Sequence, residues 1–291
     1  MKKKYSVWAL LLILTGCATY TTKYKNIQQS KDVTEDKEVS HTFYLIGDAG
    51  LSPIGDMNPA LRIFKERLDT ADENSTAIFL GDNIYPAGLP DPKDSTIAYL
   101  TAKSHLDAQL KTLENFQGTP IFIPGNHDWY NEGLIGLERQ EEYVQETLSN
   151  KDAFLPRNGC PLEVVNVNDK LAVIVIDTEW YLTNWDKHPK MNDKCDIKSR
   201  EKFFIELEDA IKDNMQKTTV IALHHPMTSY GPHGGQFSLK QQLYPSALPF
   251  PVPVLGTFVN VLRRTSGASI ADLQNKRYSQ LSKRITTLAQ Y

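Results

Sequence analysis

The sequence lacks three features that would decide its class at once: a strongly basic charge, a long apolar run and an internal repeat. Its formal net charge of −3 argues against a nucleic-acid-binding protein, because such proteins carry a basic surface. Its apolar runs are too short for membrane helices, which argues against a protein with several spans, and no solenoid period recurs. With 41% hydrophobic and 23% charged residues, the composition is that of a globular protein.

The N-terminus has the pattern of an export signal. Three lysines precede an apolar run from Val7 to Leu14, and "LTGC" ends at Cys17. The run is too short to be a stable span, although an uncleaved anchor helix stays an alternative. "LTGC" resembles the cleavage box of bacterial lipoproteins. This resemblance implies a signal peptide over 1–16, lipid on Cys17, and a location on the outer membrane, in the periplasm or at the cell surface. Residues 17–40 are polar and predict a flexible tether.

Cysteine is scarce, and its three positions permit a simple count. If Cys17 carries lipid, Cys160 and Cys195 remain. Two remaining cysteines in an exported protein predict one disulfide bond, with two free thiols as the alternative.

Apolar runs alternate with helical patterns along the rest of the chain, 41–291. In "NPALRIFKERLDTAD", for example, the apolar residues Leu61, Phe64 and Leu68 have helical spacing. The alternation predicts an α/β fold with a buried central sheet. Four prolines fall between Pro245 and Pro253. We therefore predict an irregular insertion over 236–267, either over the site, facing a partner, or as a plain surface loop. A final amphipathic helix is predicted over 269–291.

Four predicted strands end in "GDAG", "GDNIY", "GNHDWY" and "LHHP". Ligands of an α/β sheet bind outside the carboxyl ends of its strands, so these ends are expected to converge. Carboxylate and amide oxygens suit hard cations, and imidazole suits Fe, Zn and Mn. Two metals about 3.5–4 Å apart can hold the attacking and leaving oxygens of a phosphoester, and Asp82 is the natural bridge between them. The converging residues are Asp48, Asp82, Tyr85, Asn126, His127 and His224.

These motifs resemble those of the calcineurin-like metallophosphoesterases, and within them the purple acid phosphatases. The family's motifs run D-x-G, G-D-x-x-Y, G-N-H-[DE] and H-x-P, and this chain has them in that order between Phe43 and Gly235. The resemblance implies an α/β/β/α sandwich. Tyr85 is the informative residue, because most relatives lack it and the purple branch uses a tyrosinate to bind Fe(III). "GDNIY" is most similar to the small, mammalian-type (tartrate-resistant) acid phosphatases.

The resemblance also implies roles for individual residues. Asp48, Asp82 and Tyr85 would bind a first metal, with Fe(III) favoured. Asp82, Asn126 and His224 would bind a second, which could be Fe, Zn or Mn. His127 and His233 would contact the substrate, with His127 at the leaving group and Asp128 orienting its neighbours. The implied activity is hydrolysis of phosphate monoesters by attack of a metal-bound hydroxide.

One family motif, G-H-x-H, is not found, since no histidine occurs from Gly234 to Tyr291. We therefore expect the sandwich without its C-terminal strands, either in a fragment of a longer product or in a truncated, inactive homologue. Three functions stay open: a phosphomonoesterase, a phosphodiesterase or nucleotide hydrolase, and a non-catalytic surface module. The module would contact a protein partner or the membrane through 236–267, in addition to its attachment to the membrane through Cys17.

Overall fold

A computed structural model describes residues 38–93, 96–183, 190–244, 250–267 and 269–290. The predicted signal peptide and Cys17 lie outside these residues, as does most of the predicted tether. The chain forms two compact units, Glu38–His225 and one that includes Pro226–Tyr291, which are described separately. None of the helices in the described ranges is both long and apolar enough to cross a membrane.

The first unit contains two three-stranded sheets. In the first sheet all strands are parallel, in the order β1 (Thr42–Ile46), β2 (Ser75–Leu80), β3 (Thr119–Ile123). The second has the order β4 (Leu162–Asn168), β5 (Leu171–Ile176), β6 (Thr218–Leu223). In this sheet β4 and β5 form an antiparallel hairpin, and β6 runs parallel to β5.

The two sheets share one apolar core, and this explains why β5 is buried along its whole length. Ile78 and Ile121 of the first sheet belong to the same buried cluster as Val173, Val175 and Ala222 of the second. Continuous apolar strands are expected where a sheet is covered on both faces. The fold is therefore mixed α/β, as the sequence predicts.

Helices cover the outer faces of these sheets. On the first sheet, Phe64 of α1 (Pro59–Leu68) meets Phe79 edge to face at 5.5 Å. The other helices described in this unit bury one face each, except the short helix Thr178–Leu182, whose five residues are all buried. They are α2 (Thr96–Leu110), α3 (Leu134–Leu148), α4 (Thr178–Leu182) and α5 (Arg200–Asp213). A disulfide joins Cys160 to Cys195.

The second unit is helical, and it corrects one prediction. It contains α6 (Leu239–Leu243), α7 (Pro253–Ser266) and α8 (Lys276–Leu288). The segment 236–267 is therefore not irregular throughout, because a 14-residue helix fills its second half. Proline is tolerated in the first turn of a helix, so Pro253 starts α7 rather than breaking it. The predicted terminal helix begins later than expected, at Lys276, after the N-cap Asn275.

Candidate metal centre

The carboxyl ends of several strands of the first unit meet at one place. Asp48 follows β1, Asp82 follows β2 and His224 follows β6. Each of these residues offers one ligand atom, and the three atoms lie within 4.8 Å of one another. The structure therefore brings together residues that are distant in sequence but share a position at a strand end.

Tyr85 joins the two aspartates of this cluster. Its hydroxyl oxygen lies 2.8 Å from Asp48 Oδ1 and 2.7 Å from Asp82 Oδ2. Burial, followed by the hydrogen bonds to Asp82 and Asp48, raises the pKa of Tyr85. A phenol has one hydrogen, so it can donate to only one of the two carboxylates at a time. Three oxygens that converge in this way suit a hard cation, and the donor set fits a metal ion.

A second set of ligand atoms lies on the other side of Asp82. His224 Nδ1 lies 2.7 Å from the carbonyl oxygen of Leu80, and a carbonyl can only accept, so Nδ1 carries the hydrogen. The lone pair of Nε2 then faces Asn126 Oδ1 at 3.2 Å and Asp82 Oδ1 at 3.4 Å. Asn126 Nδ2 donates to the Tyr130 hydroxyl at 2.6 Å, which turns Oδ1 towards His224. Facing lone pairs without a hydrogen between them also fit a cation.

The backbone around these ligands explains the glycines of the motifs. Asp48 and Asp82 both adopt a left-handed conformation with φ of 54°. A Cβ on Gly125 would lie 2.3 Å from the backbone nitrogen of Asp82, and one on Gly81 would lie 2.7 Å from His224 Nδ1. Only glycine lets the strand ends approach this closely.

Asp128 holds two ligand-bearing loops together. It is completely buried, and its Oδ2 accepts hydrogen bonds from Gly125 N at 2.8 Å and Asn83 Nδ2 at 3.1 Å. Its Oδ1 accepts from Ile84 N at 3.2 Å and Gln140 Nε2 at 3.0 Å. Burial is the main cause that raises its pKa to about 6. One carboxylate thus ties the loop after β2 to the loop after β3.

His127 lies beside the ligands with its tautomer fixed. Its Nδ1 donates to the carbonyl oxygen of Pro86 at 2.6 Å, which leaves Nε2 4.0 Å from Asp82 Oδ2. The imidazole ring lies between Tyr85 and Tyr130, with centroid distances of 4.5 and 4.7 Å. The free nitrogen is therefore held next to the ligand cluster.

The sequence reasoning missed the end of β5, where Asp177, Thr178 and Glu179 support the site. Asp177 Oδ2 accepts a hydrogen bond from Trp129 Nε1 at 2.9 Å, and burial raises the pKa of Asp177 to about 7. Thr178 Oγ1 is hydrogen-bonded to His225 Nδ1 at 2.7 Å. Glu179 Oε2 lies 3.9 Å from His225 Nε2. A signal was present, since these polar residues directly follow six apolar ones.

His233 belongs to the second unit. Its Nδ1 lies 3.1 Å from Asp272 Oδ1, and the same buried carboxylate binds Arg263 Nε and Nη2 at 2.7 Å each. The contact of His233 with a substrate stays a prediction.

Comparison with known proteins agrees with this geometry. The family model described as "Calcineurin-like phosphoesterase" matches residues 41–250, which is more than half of the chain. No curated protein matches significantly. The matched range contains all the strands that converge on Asp48, Asp82 and His224. The chain therefore belongs to the calcineurin-like phosphoesterase family.

Proposed function

We propose that this protein is an exported, lipid-anchored hydrolase of phosphate monoesters, of the purple acid phosphatase type. Family membership supports metal-dependent hydrolysis of phosphoesters. The observation that carries the narrower proposal is the position of Tyr85, whose hydroxyl lies within 2.8 Å of both Asp48 Oδ1 and Asp82 Oδ2. This places a phenol oxygen directly among the carboxylates that suit a cation, where it can become a ligand itself.

Two metal ions fit the two sets of ligand atoms. Asp48, Asp82 and Tyr85 would hold the first ion, with Fe(III) favoured by the phenol oxygen. Asp82, Asn126 and His224 would hold the second, which would be Fe, Zn or Mn. When bound, such a pair lowers the pKa of a water molecule and neutralises charge on the phosphate.

The other residues of the site position the metal ligands, and one of them, His127, can donate a proton. Asp128 fixes the distance between the loops that carry Asp82 and Asn126. The carbonyl oxygen of Leu80 keeps the lone pair of His224 on Nε2. His127, whose Nδ1 is occupied by Pro86 O, can give a proton to a leaving oxygen only from Nε2.

A spectroscopic experiment tests the role of Tyr85. The purified full chain is loaded with iron, and its visible spectrum and its activity on monoesters and diesters are measured. We expect a tyrosinate–Fe(III) charge-transfer band that Tyr85→Phe abolishes. Tyr143→Phe is the matched control, because the Tyr143 hydroxyl donates to Asp107, which is not one of the carboxylates of the site. A band that survives Tyr85→Phe, or a fully metallated protein without phosphomonoesterase activity, contradicts the proposal.

Export and anchoring have separate support. "LTGC" at 14–17 supports lipid on Cys17, and the disulfide between Cys160 and Cys195 is expected in an oxidising compartment. Mass spectrometry of the N-terminal peptide from the native membrane fraction tests this part. An acylated N-terminal Cys17 is expected, whereas an unmodified N-terminus at Met1 would exclude the lipid anchor.

A further inference from the structure

Helix α7 turns its apolar side to solvent. Five apolar residues, spaced by three or four positions, form a stripe along it, and they are 37–54% exposed. We call this set the apolar stripe: Val254, Leu255, Phe258, Val259 and Leu262. A helix that is held by its apolar side would bury these residues instead. A contiguous exposed apolar surface of this kind marks an interaction site.

The opposite side of α7 is polar and buried. Thr257 Oγ1 donates to Gln242 Oε1 at 3.2 Å, and Asn260 Nδ2 donates to the carbonyl oxygen of Gln241 at 3.2 Å. Near the end of the helix, the Arg263 guanidinium makes two hydrogen bonds to Asp272. Polar contacts therefore hold α7 in its unit, and they leave the apolar stripe available for something else.

The charge around the stripe favours an anionic surface. The segment 236–267 contains three basic residues, Lys240, Arg263 and Arg264, and no acidic residue. Because Arg263 is ion-paired with Asp272, the net positive charge that the segment offers comes from Lys240 and Arg264. The chain as a whole has a net charge of −3, so this segment differs in sign from the rest. A helix with an apolar side and basic residues is the type that lies in the headgroup region of a bilayer.

The predicted anchor would keep α7 close to such a surface. Twenty residues, Ala18–Lys37, separate Cys17 from the first described residue, Glu38. Twenty residues reach at most about 70 Å when fully extended. A tether of this length confines the protein to the neighbourhood of the bilayer, which raises the effective concentration of lipid at the stripe.

We propose that the apolar stripe of α7 inserts into the headgroup region of the membrane that carries the lipid anchor. The stripe and the acyl chains on Cys17 then form a two-point attachment. This inference rests on the anchoring proposed for Cys17, and it does not depend on phosphatase activity. It assigns to the segment 236–267 a lipid partner rather than a protein partner.

Fluorescence quenching by lipids tests the proposal on the full, lipidated chain. With Cys17 acylated and Cys160 and Cys195 joined, Phe258→Cys provides a single free thiol for an environment-sensitive fluorophore. The labelled protein is reconstituted into vesicles of phosphatidylcholine and phosphatidylglycerol with nitroxides on the acyl chains. Ile97→Cys on α2 is the matched control, because Ile97 is an exposed apolar residue outside the segment.

We expect a blue shift and several-fold stronger quenching at position 258 than at position 97. The double substitution Leu255→Glu, Leu262→Glu should remove this difference while the protein still floats with the vesicles. Equal quenching at both positions would show proximity through the tether alone and would overturn the proposal. A blue shift that increases with protein concentration and is not accompanied by quenching would also overturn the proposal, because a second copy of the protein would then cover the stripe.

Failure of the anchor can be told apart from failure of the stripe. If wild type and Cys17→Ala both fail to float with the vesicles, the anchoring is wrong and the inference falls with it. If the wild type floats without quenching at position 258, only the inference about the stripe is wrong. Phosphatase activity, measured on the same samples, reports on the catalytic proposal independently.

Discussion

Trp129 donates its indole hydrogen to Asp177 Oδ2 across 2.9 Å, and both side chains are buried. This bond joins the loop that carries Asn126 and His127 to the end of β5, which contributes no predicted ligand. The candidate metal centre is therefore held in place by the end of β5 in the second sheet, in addition to the loops that carry the predicted ligands.

The buried Asp177 predicts a pH-dependent stability. Burial, its largest cause, raises the pKa of Asp177 to about 7, with a smaller contribution from Asp128, whereas an exposed aspartate has a pKa of about 3.9. Between these values the folded state holds a proton that the unfolded chain releases. The free energy of unfolding should therefore fall as pH rises from about 4 to about 7 and stay level above that range.

The substitution Asp177→Asn should reduce this slope, while the raised pKa of Asp128, about 6, leaves a smaller dependence at lower pH. Urea unfolding of the metal-free protein at a series of pH values measures it, and Asp152→Asn, at an exposed position, is the control. The asparagine amide has one hydrogen-bond acceptor oxygen fewer than the carboxyl group, which lowers the stability at every pH. The informative result is therefore the slope of the free energy of unfolding against pH, and not its absolute value. Identical slopes for wild type and Asp177→Asn would show that Asp177 does not carry the proton.

Asp128→Asn should weaken metal binding although it preserves shape. The amide nitrogen would replace one of the two oxygens and face that oxygen's donors, which are Gly125 N and Asn83 Nδ2 at Oδ2 or Ile84 N and Gln140 Nε2 at Oδ1. Each of these donors then loses an acceptor, at a cost of roughly 1–3 kcal/mol. The loops that carry Asp82 and Asn126 then lose their common support. We expect a roughly 10–100-fold lower metal affinity, the range found when outer ligand supports are removed.

Metal content after dialysis against a graded chelator measures this effect without relying on turnover. Asp56→Asn is a suitable control, because Asp56 lies at the surface beside Arg62. Unchanged metal retention in Asp128→Asn would contradict the supporting role.

Asp82→Asn should have a larger effect than Asp128→Asn. Asp82 Oδ1 lies 3.4 Å from His224 Nε2 and its Oδ2 lies 2.7 Å from the Tyr85 hydroxyl, so it serves both ligand sets. Loss of its charge should reduce occupancy of both metals together, with activity falling in proportion. Retention of one full equivalent of metal, measured by elemental analysis, would show that Asp82 does not bridge the sets.

The disulfide between Cys160 and Cys195 should stabilise the first unit. The two residues are separated by 35 positions. Closing a loop of that length lowers the entropy of the unfolded chain and so raises its free energy by about 3–4 kcal/mol. The double substitution Cys160→Ser, Cys195→Ser should lower the free energy of unfolding by that order. Equal denaturation midpoints for the double variant and the oxidised protein would contradict this prediction.

Sequence reasoning predicted the parts of the structure that depend on local pattern. The convergence of Asp48 and Asp82 could be predicted because each aspartate follows a glycine at the end of an apolar run. Contacts between residues that are distant in the chain could not be predicted from local sequence patterns. The Leu80 carbonyl that fixes the tautomer of His224 is 144 positions away in the chain. Helix α7 was missed because the prolines before it resemble those of a loop.

Because Asp48 and Asp82 have a left-handed backbone conformation, two independent requirements restrict which residue can occupy each position. One concerns the ligand atom, and the other concerns a backbone geometry that glycine, asparagine and aspartate adopt most readily. A lineage that abandoned catalysis would still be restricted to nearly the same residues there. A library randomised at codon 48 and sorted for folding alone should therefore return glycine, asparagine and aspartate, and recovery of alanine or leucine at equal frequency would contradict this view.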